Sequence, residues 1–417
     1  MEIRQLVSKA EFTSFTNVVT NAYPAIFTND EQAKQKYQEF MQHKQENDPD
    51  VEYYGLFQHD QLIGGMRIHY YEMNLYNKMI KVGGVGSVAV DLLHKKELAA
   101  KSLMEYFLKL FREKNCSFVA LYPFRPDFYK KMGFGYGPNM YQYLLQPSAF
   151  PKGPTKEHLV YASVDNLPKM KACYNRYAEK THGMMYKTDF EWQTFFNPAE
   201  NRVIAFQKDE HILGYIVFSF KKQSESNFLL NNLIIKEFIY ETPEALLELS
   251  TFLNSQADQI QRIEWNTHDE NIRFLLSDAR NPSTSLIPSV YHPSATAGVG
   301  LMYRIIHIEN FIQNLEGKKA ASSNVKWQLT VTDSFFSENN VQIILYVENG
   351  VLMISENPEY DVALTIDIAE LSSLLMGVTT LKELYMYSKV QISDAKFIDV
   401  LNATLYSIEK PICTTAF

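Results

Sequence analysis

The stretch KMIKVGGVGSVAVDLLHKKELAAKSLMEYFLKLF, residues 78–111, carries the strongest indication of fold in this sequence. Its first part, 78–90, predicts a strand, and its last part, 97–111, predicts an amphipathic helix. The apolar residues on one face of that helix are Ala100, Leu103, Met104, Phe107 and Phe111. Between strand and helix lies a turn with two adjacent lysines, Lys95 and Lys96. The stretch therefore predicts a strand, a basic turn and a helix in succession.

The residues around this stretch predict an α+β domain. Residues 9–22 and 31–46 have helical patterns, while 51–58 and 61–76 have strand patterns. After the helix, CSFVALYPF (116–124) predicts a buried strand, 125–137 a short helix, and NMYQYLLQ (139–146) a strand that closes the unit. Antiparallel strands, one amphipathic helix and a buried strand indicate a central sheet. Prolines and a glycine at 147–157 mark a boundary, so the first domain is predicted at 1–150.

Two further units follow. Residues 158–275 repeat the order of predicted elements of the first unit without detectable sequence identity, and predict a second domain at 151–290. The segment 279–300, rich in Ser, Pro, Ala and Gly, predicts a linker or surface loop. Alternating strands and helices at 367–376 and 394–408 then predict a third α+β domain at 291–417.

Composition excludes several classes of function. The chain has 417 residues with 40 Lys+Arg against 48 Asp+Glu, and this net charge of −8 disfavours nucleic-acid binding. No apolar run reaches the roughly 18–20 residues of a membrane span. The 3 cysteines and 10 histidines lack metal-ligand spacing, so no metal site is predicted. A reducing cytoplasm is the simplest location for such a chain.

The basic turn is the first candidate for chemistry. Backbone N–H groups at a helix N-terminus beside Lys95 and Lys96 suit a pyrophosphate. A solvated charge run after a glycine-rich strand explains the same residues equally well. The glycines at 83, 84 and 86 do not join a strand to a helix, so the dinucleotide-binding fingerprint does not fit.

The second candidate is FYKKMGFGYG, residues 128–137. Here Tyr129 lies on a short predicted helix after a buried strand, where a phenol could act as a general acid. The chain has 26 tyrosines, and a structural role is the simpler interpretation of any one of them. Tyr129 therefore needs support from its context.

That context resembles the GNAT family of acetyl-coenzyme A-dependent N-acetyltransferases: a strand, a basic turn, a helix, a buried strand and a Tyr-x-x-x-Gly-Phe-Gly element. The chain length, the second unit and the C-terminal unit are similar to the enhanced intracellular survival (Eis) type. The resemblance implies two tandem GNAT-like domains, the second degenerate, followed by a sterol-carrier-protein-like domain. It also implies acetyl-coenzyme A as co-substrate and a homo-oligomer, possibly a hexamer.

The resemblance also implies site residues. Acetyl-coenzyme A would be bound by Val88, Ala89, Val90, Lys95, Lys96, Leu98, Ala99 and Ala100. Tyr129 would be the general acid toward the coenzyme A thiolate, and the α-carboxylate of Phe417 the base. Two positions depart from the family's basic turn, which has a glycine where this chain has Leu98 and a basic residue where it has Glu97. Both departures would weaken phosphate binding.

The last residues, ICTTAF (412–417), carry no side-chain charge and are largely apolar, unlike a solvated tail. Residues 77–90 contain no acidic residue, so a base must come from elsewhere in the chain, through water, or from this terminus. The alternative is that the tail packs only against its own domain.

The sequence therefore predicts a cytoplasmic N-acetyltransferase. Its acceptor would be a cationic primary amine, aminoglycoside-, polyamine- or lysine-like, that attacks the thioester directly in a ternary complex. The alternative is a non-catalytic protein of the same fold that binds a lipid or a protein partner through its C-terminal domain. Leu98 and Glu97 are the residues that favour the alternative.

Overall fold

A computed structural model describes residues 1–25, 30–196, 201–227, 230–283 and 285–417. Residues 26–29 of the predicted first domain, 197–200 and 228–229 of the second and 284 of the predicted linker lie outside the described residues. The chain divides into two compact units. The first unit contains residues 1–137, 301–410 and 416–417, and the second contains 138–300 and 411–415.

The described strands, in chain order, are β1 (Glu2–Gln5), β2 (Val51–Gln58), β3 (Gln61–Leu75), β4 (Lys78–Val90), β5 (Phe118–Leu121), β6 (Gly135–Tyr136), β7 (Asn139–Leu145), β8 (Leu159–Tyr161), β9 (Arg202–Lys208), β10 (His211–Lys222), β11 (Asn231–Tyr240), β12 (Ile260–Thr267), β13 (Ala295–Val299), β14 (Met302–Ile305), β15 (Trp327–Thr332), β16 (Val341–Glu348), β17 (Val351–Ser355), β18 (Val362–Asp367) and β19 (Val390–Ile392). The described α-helices are α1 (Lys9–Ala22), α2 (Glu31–Asn47), α3 (Ala99–Glu113), α4 (Pro126–Lys130), α5 (Leu167–Ala178), α6 (Asp189–Phe196), α7 (Pro243–Asn254), α8 (Ile308–Gln313), α9 (Ile368–Leu375), α10 (Leu381–Met386) and α11 (Ile398–Leu405).

The first unit contains a sheet of order β1-β2-β3-β4-β5-β14-β6. Strands β2, β3 and β4 form an antiparallel meander, and β4 pairs with β5 in parallel. Helix α3 buries Leu103, Met104, Phe107 and Phe111 in the core cluster of this sheet, so the predicted amphipathic helix is confirmed. This crossover from β4 through α3 to β5 positions the candidate site.

The second unit has a sheet of order β13-β7-β12-β11-β10-β9-β8. Its strands β9, β10 and β11 are antiparallel, and β11 pairs with β12 in parallel across helix α7. This arrangement repeats the meander and parallel crossover of the first sheet. The predicted repetition of the element order in the first two units is therefore also a repeat in the structure.

One strand, β7, lies in a different sheet from the one predicted. NMYQYLLQ does not close the first sheet, because β7 pairs with β12 and β13 of the second unit. The place in the first sheet is taken by β14, which lies between β5 and β6. The chain thus changes unit near residues 137–138 and 300–301, rather than at the predicted positions 150 and 290. The predicted linker 279–300 also contains a strand, β13, at its end.

The third sheet, β17-β16-β15-β18-β19, lies within the first unit. Helix α9 follows β18 directly and contacts both β14 and β6 of the first sheet. All eight of its residues are buried. The fold is α+β throughout, as the sequence predicts.

Candidate active site

The site begins where β4 and β5 separate. These parallel strands pair from Gly83 opposite Val119 to Val85 opposite Leu121, and β4 then continues to Val90 without β5 beside it. A β-bulge lies in this free part, because the register to β3 shifts by one residue and Ser87 has a φ of 50°. The end of β4 therefore presents backbone groups along one edge to a ligand.

Helix α3 begins beside this free edge without a side-chain cap. Its N-cap residue, Leu98, has a left-handed backbone (φ 63°) and accepts no side-chain hydrogen bond from the first turn. Lys96 is also left-handed, with a φ of 69°. The first N–H groups of a helix have no partner within the helix, and they carry the positive end of its dipole. This terminus is suited to an anion.

A cavity of about 550 Å³ joins the end of β4 to the start of α3. Its lining includes every residue that the sequence predicts for acetyl-coenzyme A: Val88, Ala89, Val90, Lys95, Lys96, Leu98, Ala99 and Ala100. The other wall comes from the end of α1 and from residues 124–132. The structure thus brings the predicted binding residues together around one cavity.

His94 and Glu97 form a pair within the basic turn. His94, which precedes the two lysines of the turn, lines the cavity. Its Nδ1 lies 2.8 Å from Glu97 Oε2. Glu97, which stands where the family has a basic residue, is therefore paired with His94 within the turn.

Tyr129 lies just behind the cavity wall rather than in it. The side chain is 3% exposed and contacts the rings of Phe124, Phe128 and Phe134, at centroid distances of 5.6, 5.2 and 6.0 Å. Phe124 and Phe128 themselves line the cavity. Burial raises the pKa of the Tyr129 phenol well above 10, with a smaller contribution from Tyr23. The phenol therefore stays protonated at neutral pH, as a proton donor must.

Phe417 lies against the middle of β4, in the same unit. A Cβ on Gly86 would come within 3.1 Å of both the Phe417 carboxyl carbon and Arg67 Nη2, so the carboxyl group and this guanidinium border the same point. A Cβ on Gly84 would come within 3.1 Å of the Phe417 ring. The two glycines therefore make room for the terminal residue on the surface of the strand.

Three aromatic side chains surround the Phe417 ring. Its centroid lies 5.5 Å from that of His69, 5.3 Å from that of Tyr71 and 5.3 Å from that of Tyr122. The alternative that the tail packs only against its own domain therefore does not hold for Phe417. Residues 411–415 pack in the second unit, where Thr414 donates to Glu237 Oε1 over 3.0 Å.

Sequence reasoning missed Arg67 and His69. Both lie on β3, where Arg67 is paired with Gly86 and His69 with Gly84. The alternation of glycines on β4 is the signal that could have indicated a facing pair, but only once the register is known. His69 is fully buried, with Nδ1 3.0 Å from Tyr71 Oη, and Nε2 has no hydrogen-bond partner in the described structure. Burial, together with Arg67 and Lys44, lowers the pKa of His69 well below 6.5, so its imidazole is neutral.

Neither a metal-binding cluster nor a membrane-spanning helix is present among the described residues. They contain no group of three or more His, Cys, Asp or Glu side chains arranged to hold a metal ion. Among the same residues, every helix is too short or too polar to cross a bilayer.

Comparison with known proteins matches three segments to family models. Residues 2–137 and residues 183–305 each match an acetyltransferase (GNAT) domain, and residues 308–414 match a sterol carrier protein domain. A search of curated proteins found no match.

Solved structures resemble the chain over its whole length. A GCN5-related N-acetyltransferase from Anabaena variabilis has 18% identity and a TM-score of 0.80, and the likeness covers 100% of both chains. Eis1 from Mycobacterium abscessus has 18% identity and a TM-score of 0.76, again over 100% of both chains. At these identities the likeness establishes a shared fold.

Proposed function

We propose, from the premise that this chain is an Eis-type GNAT acetyltransferase, that it transfers the acetyl group of acetyl-coenzyme A to a cationic primary amine. GNAT acetyltransferases use acetyl-coenzyme A, and the observation that carries the proposal is the cavity where the free end of β4 meets the uncapped start of α3. An extended pantetheine arm suits the former and a pyrophosphate the latter.

In this proposal the binding residues divide by chemistry. Backbone groups of Val88, Ala89 and Val90 would hydrogen-bond the pantetheine arm along the free edge of β4. Lys95, Lys96 and the N–H groups at the start of α3 would hold the pyrophosphate. The lining here supports this division, because Phe124, Phe128 and Met132 give the cavity an apolar wall, and Lys95 and Lys96 precede the helix start.

The transfer step would use two proton-carrying groups. The acceptor nitrogen first forms a bond to the acetyl carbon, so that the carbonyl oxygen takes up negative charge, and the bond from that carbon to sulfur then breaks as the carbonyl re-forms. The Phe417 carboxylate would accept the proton lost by the amine, directly or through water, and Tyr129 would donate its proton to the departing thiolate. Backbone N–H groups at the end of β4 would stabilise the developing oxyanion.

The surroundings of Phe417 favour a cationic acceptor. A carboxylate attracts an ammonium group, and the rings of Tyr71 and Tyr122 pack on the Phe417 ring and hold this residue in place. Aminoglycosides, polyamines and lysine side chains all carry such a group. The carboxylate would also lower the cost of bringing the ammonium to the point where it loses a proton.

Two further properties complete the proposal. Cys116, Cys173 and Cys413 are free and buried, which suits a reducing cytoplasm. The relationship to Eis-type proteins also supports a homo-oligomer, possibly a hexamer.

The test is coenzyme A release against a panel of primary amines, combined with thermal stabilisation by acetyl-coenzyme A. A ligand at 100 times its dissociation constant adds about 2.7 kcal/mol to the free energy of unfolding. We expect stabilisation and turnover with at least one polycationic amine. Stabilisation without turnover on any amine would contradict the proposed chemistry, and the absence of both would favour the non-catalytic lipid- or partner-binding alternative.

A further inference from the structure

The C-terminal domain, residues 308–410, contacts the segment that carries Tyr129 at both of its ends. We define this segment, residues 129–136, as the Tyr129 loop. Lys130 Nζ lies 2.7 Å from Glu370 Oε1 on helix α9. At the other end of the loop, Ser373 Oγ donates to the Tyr136 carbonyl over 2.8 Å. Both contacts lie within the first unit.

The middle of the Tyr129 loop is held through an arginine. Arg304, on β14, donates from Nη1 to the Met132 carbonyl over 2.5 Å and from Nη2 to Asp333 Oδ2 over 2.6 Å. The side chains of Arg304 and Asp333 are both 0% exposed. The Asp333 carboxylate also accepts from Asn339 Nδ2 and from two backbone N–H groups. The pair therefore has a fixed geometry that joins the C-terminal domain to the loop.

Two glycines of the Tyr129 loop allow the close contacts with Arg304 and helix α9. A Cβ on Gly133 would lie 1.5 Å from Arg304 Nη1, and one on Gly135 would lie 2.0 Å from the Ala369 carbonyl oxygen. Gly133 also has a φ of 77°, which disfavours any other residue. The Gly-Phe-Gly part of the motif thus allows close backbone contact with Arg304 and α9. The ring between the glycines, Phe134, contacts Tyr129 edge-on at 6.0 Å.

A stabilising role explains this arrangement poorly. Burying an ion pair gives little net stability compared with apolar residues of the same shape. The hydrogen bonds of Arg304 and Asp333, in contrast, hold the two side chains in one geometry. Through its bond to Arg304, the pair fixes the position of the Met132 carbonyl. Met132 is three residues after Tyr129 in the chain. Lys130, adjacent to Tyr129, is fixed by the same domain.

We propose that Asp333 and Glu370 are positioning residues for the acid Tyr129, so that the sterol-carrier-like domain is part of the acetyl-transfer machinery. This inference rests on the proposed function, because it assigns Tyr129 the role of acid. Neither residue contacts the candidate cavity. Both act through Arg304 or Lys130 on the Tyr129 loop.

The experiment compares Glu370→Gln and Asp333→Asn with the control Asp399→Asn. Asp399 pairs with Lys382 on the exposed surface of the same domain, at 2.7 Å, so the control removes one charge without touching the loop. We expect the first two variants to lower kcat by roughly 10–100-fold, since a 1 Å misplacement can cost about 10²-fold, while the KM for acetyl-coenzyme A stays within about twofold. In a Tyr129→Phe background, the same substitutions should lower kcat no further.

Asp333→Asn leaves a buried guanidinium unpaired and risks misfolding, so the milder Lys130–Glu370 pair provides a second test. The exchanged pair, Lys130→Glu with Glu370→Lys, should recover most of the kcat that Glu370→Gln loses. An equal loss in the Tyr129→Phe background, or no recovery by the exchanged pair, would overturn the inference.

Amide hydrogen exchange separates this inference from the proposed function. Glu370→Gln should accelerate exchange at residues 130–136 and leave the remainder of the protein at wild-type rates, whether or not any amine is acetylated. Unchanged exchange in the Tyr129 loop would overturn the positioning role. Accelerated exchange in a protein that acetylates no amine would contradict the proposed function. It would still support the inference that Glu370 holds the Tyr129 loop in place.

Discussion

At the scale of single residues, Tyr129 is the most informative side chain. Tyr129→Phe removes only a hydroxyl, so the fold should persist, and kcat should fall by roughly 10²–10⁴-fold, the usual share of acid catalysis. The matched control is Tyr161→Phe, because Tyr161 is 81% exposed. An unchanged kcat in Tyr129→Phe would remove this phenol from the chemistry.

The pH dependence of the reaction follows from the same residue. Burial raises the pKa of Tyr129, and a general acid must be protonated, so the group should remain competent past pH 10, where a free tyrosine ionises. We expect no decline in kcat attributable to Tyr129 between pH 8 and 10. A loss of kcat in that interval that disappears in Tyr129→Phe would mean that the phenol ionises normally.

Leu98 gives a second residue-scale prediction. A left-handed backbone costs an L-residue about 1–2 kcal/mol, and glycine avoids this cost. Leu98→Gly should therefore raise stability toward denaturant by about 1 kcal/mol, although glycine is a poor helix former. It should also lower the KM for acetyl-coenzyme A, because the backbone can approach phosphate more closely.

Leu93→Gly serves as the control, since Leu93 is 87% exposed and has no positive φ. Weaker acetyl-coenzyme A binding in Leu98→Gly would show that the basic turn is aligned wrongly with the family.

At this scale, the sequence could predict site residues that lie close together along the chain but not those that meet only through strand pairing. The cofactor residues from Val88 to Ala100 are close in sequence, and they line one cavity. Arg67 and His69 meet Phe417 only through the pairing of β3 with β4, which no local pattern encodes. Their roles and those of Tyr129 and Phe417 remain predictions.

At the scale of elements, the basic turn and α3 are open to a direct test. Lys95→Ala combined with Lys96→Ala should raise the KM for acetyl-coenzyme A and leave kcat nearly intact, because it removes uniform binding. Lys221→Ala with Lys222→Ala removes the same two charges from an exposed strand end and is the control. A fall in kcat with unchanged KM would contradict a binding role for the turn.

The second unit contains a buried ion pair whose energetics can be predicted. Lys187 Nζ lies 3.0 Å from Glu237 Oε1, and the side chains are 6% and 1% exposed. Lys187→Met would leave the carboxylate buried without its cation, so it should cost about 3–5 kcal/mol of unfolding free energy in denaturant. Adding Glu237→Leu should restore much of the loss.

Lys208→Met, at an exposed pair with Glu244, is the control and should change little. A cost in Lys187→Met as small as that control would mean that solvent reaches the Glu237 carboxylate.

Element boundaries followed from local pattern, but strand partners did not. The strand at 51–58 and the helix at 9–22 begin and end where the sequence predicts. The exchange of β7 for β14 could not be predicted, since NMYQYLL and MYRI have equally strand-like patterns and differ only in which distant edge they join. The short, small-residue strand ATAGV was missed because it pairs through its backbone at a sheet edge.

At the scale of the whole molecule, the predicted succession of two GNAT domains and a sterol-carrier-like domain is confirmed by the family models. The sequence does not indicate that the third domain packs into the same compact unit as the first. That packing depends on single contacts such as Lys130 with Glu370, which link residues from different predicted domains. No periodicity in the sequence indicates such a pair.

The central claim is that the Phe417 carboxylate is the base of an acetyl transfer, and its position is the property to test. The carboxyl group packs closely on Gly86, so one additional residue must displace the charge. The displacement would reach up to about 3.5 Å along an extended chain. A misplacement of about 1 Å can already cost on the order of 10²-fold in rate.

The measurement is kcat for coenzyme A release by four proteins: the unmodified chain, one with a glycine added after Phe417, one lacking Phe417, and one with the glycine added at the N-terminus. We predict that both C-terminal changes abolish most turnover, while the KM for acetyl-coenzyme A and the melting temperature stay near those of the unmodified chain. The N-terminal glycine should have no effect. Full turnover by the protein with the added C-terminal glycine would contradict the account, because the base would then lie elsewhere.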